Sequence, residues 1–483
     1  MSLAKKAVLG AIWSIVSSIG SMVIGLVGTI WLTNLLAPEI VGDVAIAIVI
    51  VQTAGVFSSF GFGQYLVANP KAGPDFAFHA ALFHLLTGLL GMVLVYVFRA
   101  PLAEASGTPG AAVYIPGVAL FTAIDRLIFI PSRLLVRDMR FGALGAMNTV
   151  GELLYALVAI GTASIGWGGQ AIVAGNVVRV SVQVLFVFSA AGVMTWARPF
   201  PLRMDTVRTL LRFGLPLAPA SILHYGAMKW DNTMIGAFFG NAAVGLYTRA
   251  YNLADIPANR IGEQIGDVLV PSFARMEYQD DRRRALVRAV GVMSLVITPL
   301  AVGLGAVAHT LIATIFKPEW ASVAPMLAVL SALSVLRPVG WLIMGYLQAQ
   351  GRTRTIMVLE AVKVGALLGC MAILSMFGLL WACVGVGIGF GLHALASLFA
   401  VHRVDGMSMM SMVRPMAAPI AASAPMVGAV LGVRYLLQGR VPSVALLICE
   451  VAAGGIIYVP SAFLIAREAA REVISLLNKV RNR

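Results

Sequence analysis

The chain has 483 residues, of which 59% are hydrophobic and only 12% charged, with a mean hydropathy of +0.90; a soluble globular protein carries about twice that share of charge. A water-soluble domain is therefore excluded, and an all-α polytopic membrane protein is expected. The formal net charge of +14 does not mark a nucleic-acid binder, because the basic residues are spread over alternate loops instead of forming one patch.

Apolar stretches of about 20 residues, enough to cross roughly 30 Å of hydrocarbon as helices, follow one another with short connectors. The start, MSLAKKAVLGAIWSIVSSIG, is basic, but its apolar run is too long for a signal peptide and no small-residue cleavage site follows. The spans are read as residues 10–32, 40–61, 78–98, 113–136, 142–165 and 170–194. After a basic linker come 214–239, 242–273, 290–315, 323–348, 356–377, 379–401, 415–437 and 443–466. These make about 14 transmembrane helices with both termini on one side.

Lys5, Lys6, Lys71, Arg137, Arg140, the linker WARPFPLRMDTVRTLLR, the stretch RMEYQDDRRRALVR, GRTRT, HRVDG and the tail from Arg467 share that side. The other side keeps little beyond Arg99, Lys317 and Arg440. This asymmetry assigns both termini to the cytoplasm. The domain plan is a short N-terminus (1–9), a first lobe (10–194), the linker (195–213), a second lobe (214–403), two extra helices (404–466) and a basic tail (467–483). A short internal similarity supports the doubling: LLAPEIVGDVAIAIVI (Leu35 to Ile50) resembles FFGNAAVGLYTRAYNL (Phe238 to Leu253). Doubled bundles are a common transporter plan, with the substrate site between the repeats.

The chemistry lies in charges placed where apolar residues belong. An ionisable group at mid-bilayer costs at least about 2.5–3.5 kcal/mol on insertion scales, so it faces a bundle interior or a watery cavity. Span four carries Asp125, Arg126 and Arg133; span five Asn148 and Glu152; span six Asn176, Arg179 and Gln183; span seven His224, Lys229 and Asp231. In span eight, at about 100° per residue, Arg249, Arg260, Glu263 and Asp267 fall within about 40° of one direction, and Pro257 should loosen the helix. Spans ten and eleven add Arg337, Glu360 and Lys363. Three plainer readings stand beside this one: Tyr247 to Asp267 as an extracytoplasmic loop, Arg260 with Glu263 as a structural pair, and Arg133 with Arg137 as the cytoplasmic end of their span.

Guanidinium groups facing a cavity suit a diphosphate, because their forks bind phosphate oxygens in pairs. The acids nearly balance them, so part of the array is internal pairing, or the acids carry a proton or sodium ion. Ser14, Ser17, Ser18 and Ser21 read mainly as a packing face. Cys370, Cys383 and Cys449 sit in apolar spans without CxxC spacing, and the histidines lack ligand spacing, so no metal or disulfide framework is expected. No catalytic constellation is present, and the loops are too short for the extramembrane segment that glycan-building membrane enzymes usually display.

WDNTMIGAFFGNAAVGLYTRAYNLADIP (Trp230 to Pro257), VLVPSFARM (Val268 to Met276), TNLLAPEIVGDVAIA and FGFGQYLV resemble the bacterial oligosaccharide repeat-unit flippases. These are the polysaccharide transporters of the multidrug/oligosaccharidyl-lipid/polysaccharide exporter superfamily. The resemblance extends over nearly the whole chain. It implies two six-helix lobes in a V around a central cavity, and movement of an undecaprenyl-diphosphate-linked oligosaccharide across the bacterial inner membrane by alternating access. On that basis Arg126, Arg179, Lys229, Arg249, Arg260, Arg337 and Lys363 are candidates for the substrate cavity. Glu152, Asp231, Glu263 and Asp267 are candidates for coupling to a proton or sodium ion. No cofactor or metal is expected; the partners expected are the lipid-linked oligosaccharide, membrane lipids, and polysaccharide polymerase and chain-length proteins. The alternatives are a multidrug or lipid II exporter of the same superfamily and, from another class, a membrane glycan polymerase or ligase.

Overall fold

The computed structural model describes residues 20–58, 60–69, 71–216, 218–257, 276 and 278–473, and all the regular structure among them is helical. In chain order the main helices are α1 (Gly20–Leu35), α2 (Pro38–Phe57), α3 (Phe62–Ala68), α4 (Pro74–Val97), α5 (Arg99–Ala105), α6 (Ile115–Arg137), α7 (Phe141–Ser164), α8 (Gln170–Ala191), α9 (Met204–Gly214) and α10 (Ala218–Asp255). They continue as α11 (Gln279–Ile315), α12 (Val323–Leu333), α13 (Arg337–Ala349), α14 (Thr353–Ser375), α15 (Leu379–Asp405), α16 (Met409–Leu437) and α17 (Ser443–Ile465). Among the described residues ten helical stretches are long and apolar enough to cross a membrane. The chain is a multi-pass membrane protein.

Local chemistry fixes several boundaries. Pro38 and Pro74 open α2 and α4 at the helical start, where a missing N–H costs nothing. Gly406 closes α15 in the left-handed conformation. Gly240, at φ 79°, breaks α10 at the turn expected between spans seven and eight. Ile256 and Pro257 then take a π-helical turn, the loosening expected at that proline. One segment differs from expectation. The stretch QDDRRRALVR, read as a loop, is the first part of the 37-residue α11. Arg283 pairs with Asp280 at 3.1 Å and Arg284 with Asp281 at 2.7 Å, each three residues apart, so the charges sit on a solvated helix end without breaking it.

The helices turn apolar side chains outward as well as inward. On α4, Leu86, Leu90, Val93 and Val97 are exposed at helical spacing, the surface a span presents to lipid.

The chain forms two compact units, Met1–Gly245 and Leu246–Arg483. In the first, α8 packs on α6 and α7, and α4 and α2 on α6. The amphipathic α9 buries Leu210 in a cluster with Phe62, Leu66, Ala77 and Ile130. The first part of α10 belongs here: Tyr225 donates to Gln52 (3.3 Å), Trp230 Nε1 to Thr53 (3.4 Å) and Asn241 Nδ2 to Asp43 (3.2 Å). A Cβ on Gly42 would collide with the Asn241 carbonyl, and one on Gly245 with the Pro38 carbonyl. Aligning the internal similarity pairs Gly42 with Gly245 and Pro38 with Asn241. The two copies therefore touch reciprocally, each glycine against the other copy's turn.

In the second unit, Leu286, Val290, Met293 and Ile297 form one stripe of α11 against Val339, Ile343 and Tyr346 of α13, Leu398 and Val401 of α15 and Met412 and Met416 of α16. Asp405, at the end of α15, accepts from Tyr346 Oη (2.6 Å), Gln350 Nε2 (2.9 Å) and Gln279 Nε2 (2.7 Å), joining the ends of three helices. Toward the other end of α11, Glu450 of α17 is fully buried. Its Oε1 accepts from Arg434 Nε of α16 (2.7 Å) and Thr310 of α11 (2.8 Å), while Arg434 Nη2 donates to the Ala306 carbonyl (2.5 Å). This cluster clamps the last two helices to α11.

Two outcomes follow. Gly42→Ala and Gly245→Ala should each lower stability by about 1–3 kcal/mol through overpacking, read as loss of the monodisperse peak on heating in detergent. Gly428→Ala and Gly432→Ala, which face open space, should leave it unchanged. Glu450→Ala, which strands Arg434, should cost about 3–5 kcal/mol in the same assay, and Glu450→Gln less.

Candidate functional site

The first unit carries a polar seam through its apolar helices. Asp125, near the middle of the 23-residue α6, is exposed. A carboxylate at that depth is costly against lipid. Asp125 lies within electrostatic reach of Arg179 and Arg126. Arg179 of α8 forms an ion pair with Glu152 of α7 at 3.0 Å, both side chains a little under one-third exposed, and its guanidinium lies over the Tyr155 ring at 5.6 Å. One turn along, Gln183 Nε2 is 3.4 Å from Asn148 Oδ1, and Asn148 is exposed. Ser21 of α1 meets Thr149 at 3.0 Å. The spacing of Asn148 with Glu152 and of Arg179 with Gln183 puts each pair on one helical face.

Arg126 is enclosed differently. It is 8% exposed, and its side chain runs over Gly55 of α2 and Gly88 of α4, where any Cβ would crowd it. Its Nη1 lies 3.4 Å from His84 Nε2, and the His84 ring stacks on Phe129 at 4.3 Å. The sequence placed Arg126 among the charges of span four, but gave no hint of the glycine-lined recess or of His84. Lys229 is half-buried. Asp231 is fully buried, and its Oδ1 accepts the Asn232 N–H at 2.8 Å.

The second unit holds its own charged groups. Arg249 is 9% exposed. Arg337, at the start of α13, pairs with Asp255 at 2.5 Å and is sandwiched between the rings of Tyr251 (4.7 Å) and Phe390 (4.1 Å), which favour a cation electrostatically. Lys363 and Glu360 pair at 2.7 Å one turn apart on α14. His393, packed against Gly340, is within electrostatic reach of both. Arg260, Glu263 and Asp267 lie outside the described residues, so only Arg249 of the span-eight stripe is placed.

Three of the predicted charges are held in ion pairs with acids: Arg179 with Glu152, Arg337 with Asp255 and Lys363 with Glu360. Sequence reasoning passed over Glu450, Arg434 and Asp405. A lone acid in span fourteen and a lone arginine in span thirteen were the available signal for the first two. Among the described residues no His, Cys, Asp and Glu group has the arrangement of a metal site.

Residues 31–325 match the family described as polysaccharide biosynthesis protein. The chain belongs to that family. It is 25% identical to the succinoglycan biosynthesis transport protein ExoT of Rhizobium meliloti (strain 1021), over 96% of this chain and 94% of that one. It is also 25% identical to the lipopolysaccharide biosynthesis protein WzxC of Escherichia coli (strain K12), over 81% and 79%. Among solved structures it resembles the lipid II flippase MurJ in an inward closed conformation, with a TM-score of 0.74, 13% identity, and 95% and 99% of the two chains covered. A multidrug resistance MATE transporter in an inward-facing conformation gives a TM-score of 0.64 at 16% identity, over 82% and 98%. This member of the family thus has the helical membrane-transporter fold.

If the Glu152–Arg179 pair serves transport as well as packing, Arg179→Ala should lower surface polysaccharide at least about tenfold, the weight of a charge-assisted contact worth about 1.5–3 kcal/mol. The Glu152→Ala/Arg179→Ala double variant should recover the protein level without recovering polysaccharide, measured by immunoblot and cell-surface glycan assay in parallel.

Proposed function

We propose that this protein is a flippase that carries an undecaprenyl-diphosphate-linked oligosaccharide, the repeat unit of an O-antigen, capsule or exopolysaccharide, across the bacterial cytoplasmic membrane by alternating access. The observation that carries this reading is the wet seam of Asp125, Asn148, Glu152, Arg179 and Gln183 across the middle of the first unit. Family membership and the near full-length likeness to a succinoglycan transport protein support it.

The physical task is narrow. A sugar-diphosphate head does not cross hydrocarbon unaided, whereas its polyprenyl tail never has to leave it. The protein needs only a wet surface of hydroxyls, amides and exchangeable ion pairs along the bilayer depth. Arg179, paired with a partly exposed acid, is suited to exchange Glu152 for a phosphate oxygen, the fork geometry being the same for both. Arg126, Lys229, Arg249, Arg260, Arg337 and Lys363 are further candidate contacts. Glu152, Asp231, Glu263 and Asp267 are the candidates to take up a proton or sodium ion, since an acid released from its arginine binds a cation. The basic loops support a topology with both termini in the cytoplasm. A polysaccharide polymerase and a chain-length protein would act downstream on the delivered unit.

Purified protein in liposomes should move a lipid-linked oligosaccharide between leaflets, detected as glycan newly open to an impermeant glycosidase. A deletion strain should accumulate the lipid-linked unit and lose surface polysaccharide. Glycan lengthening by the purified protein would overturn the reading in favour of a polymerase. Movement of lipid II with arrest of growth on deletion, and no effect on surface polysaccharide, would make it a lipid II exporter.

A further inference from the structure

We infer that the start of α11 and the α15–α16 corner form a binding site for the phosphate headgroup of an anionic phospholipid. The site is independent of the seam argued above. Arg283, Arg284, Val287, Arg288, Met407 and Ser411 line an open cavity of about 390 Å³, a size that admits a phosphoglycerol headgroup.

Depth comes from helix length. At about 1.5 Å per residue, Arg288 lies about 40 Å along the axis from Ile315, where α11 ends. A bilayer measures about 40–45 Å across including its headgroup layers. With Ile315 at one interface, Arg288 and Arg284 fall in the opposite headgroup layer, on the side that the basic loops assign to the cytoplasm. Anionic lipid there attracts basic side chains near the surface.

The walls suit an amphiphile. The exposed guanidinium groups of Arg284 and Arg288 offer planar donor forks to phosphate oxygens. Val287 and Met407 give an apolar wall, and beside Ser411 the side chains of Met410 and Val413 are exposed, where acyl chains would run. The acids nearby do not close the site. Arg283 pairs with Asp280, Arg284 with Asp281 and Arg288 with Glu472 (3.5 Å). The Arg284 and Arg288 side chains are still 70% and 66% exposed, and exposed pairs of this kind hold their partners weakly. Arg283, which also donates to the Asp405 carbonyl, is anchored and forms the floor.

The test is lipid retention by the full-length protein in detergent, measured by native mass spectrometry with phosphatidylglycerol against phosphatidylethanolamine of the same chains. Wild type should prefer phosphatidylglycerol. Arg284→Gln/Arg288→Gln, two exposed positions whose loss should leave the monodisperse peak intact, should weaken that binding by about tenfold. Arg203→Gln/Arg208→Gln, with the same charge change on the linker, should not. Equal retention of the two lipids by wild type, or equal loss in both variants, would overturn the site. So would retention of a polyprenyl diphosphate that needs Arg284 and Arg288 and is not displaced by phosphatidylglycerol, because the phosphate would then belong to the cargo.

Discussion

A charge inside hydrocarbon must be paired, enclosed or wet, and the fold answers that constraint in each of the three ways. Glu450 and Arg434 are paired, with Thr310 and a backbone carbonyl taking up further valences. Arg126 is enclosed, in a recess that exists because Gly55 and Gly88 lack side chains. Asp125 and Asn148 are exposed, the setting that water would have to fill. Removing one partner of the first kind strands a buried charge, whereas the third kind exchanges partners at modest cost. The exposed polar groups lie on α6, α7 and α8, and these are the groups that the proposed transport path would use.

The pairing of Arg179 with Glu152 bears on the proposed mechanism. A surface of unpaired arginines would hold a diphosphate tightly and release it slowly. Arginines that already have a carboxylate exchange one anion for another, so the net cost of loading and unloading stays small. In the proposed cycle the displaced acid would be the place for a proton or cation to enter, tying cargo binding to coupling through one residue pair.

Much of this was legible in the sequence because membrane helices write their own pattern: apolar runs of spanning length, and a break between spans seven and eight where Gly240 falls. The helical spacing of Asn148 with Glu152 and of Arg179 with Gln183 also fixed which residues share a face. What spacing did not give is the partner on another helix. Nothing local links Glu450 to Thr310, or Arg126 to His84, since those contacts join residues far apart in the chain. The start of α11 was misjudged for a related reason. A charge-rich stretch reads as a loop until its arginines and aspartates are seen to pair along a helix. The likeness of the Leu35 and Phe238 segments was visible as a faint repeat, but not the reciprocal packing of Gly42 and Gly245.

The most direct test of the wet seam is labelling of single cysteines by a membrane-impermeant thiol reagent, in a variant lacking Cys370, Cys383 and Cys449. Cysteines at Asp125 and Asn148 should react in whole cells or inverted vesicles, while cysteines at Leu153 and Leu157, exposed apolar positions on α7, stay protected in both. Protection of Asp125 and Asn148 from both sides would contradict a water-filled path through this unit, and with it the account of how a charged head crosses the membrane.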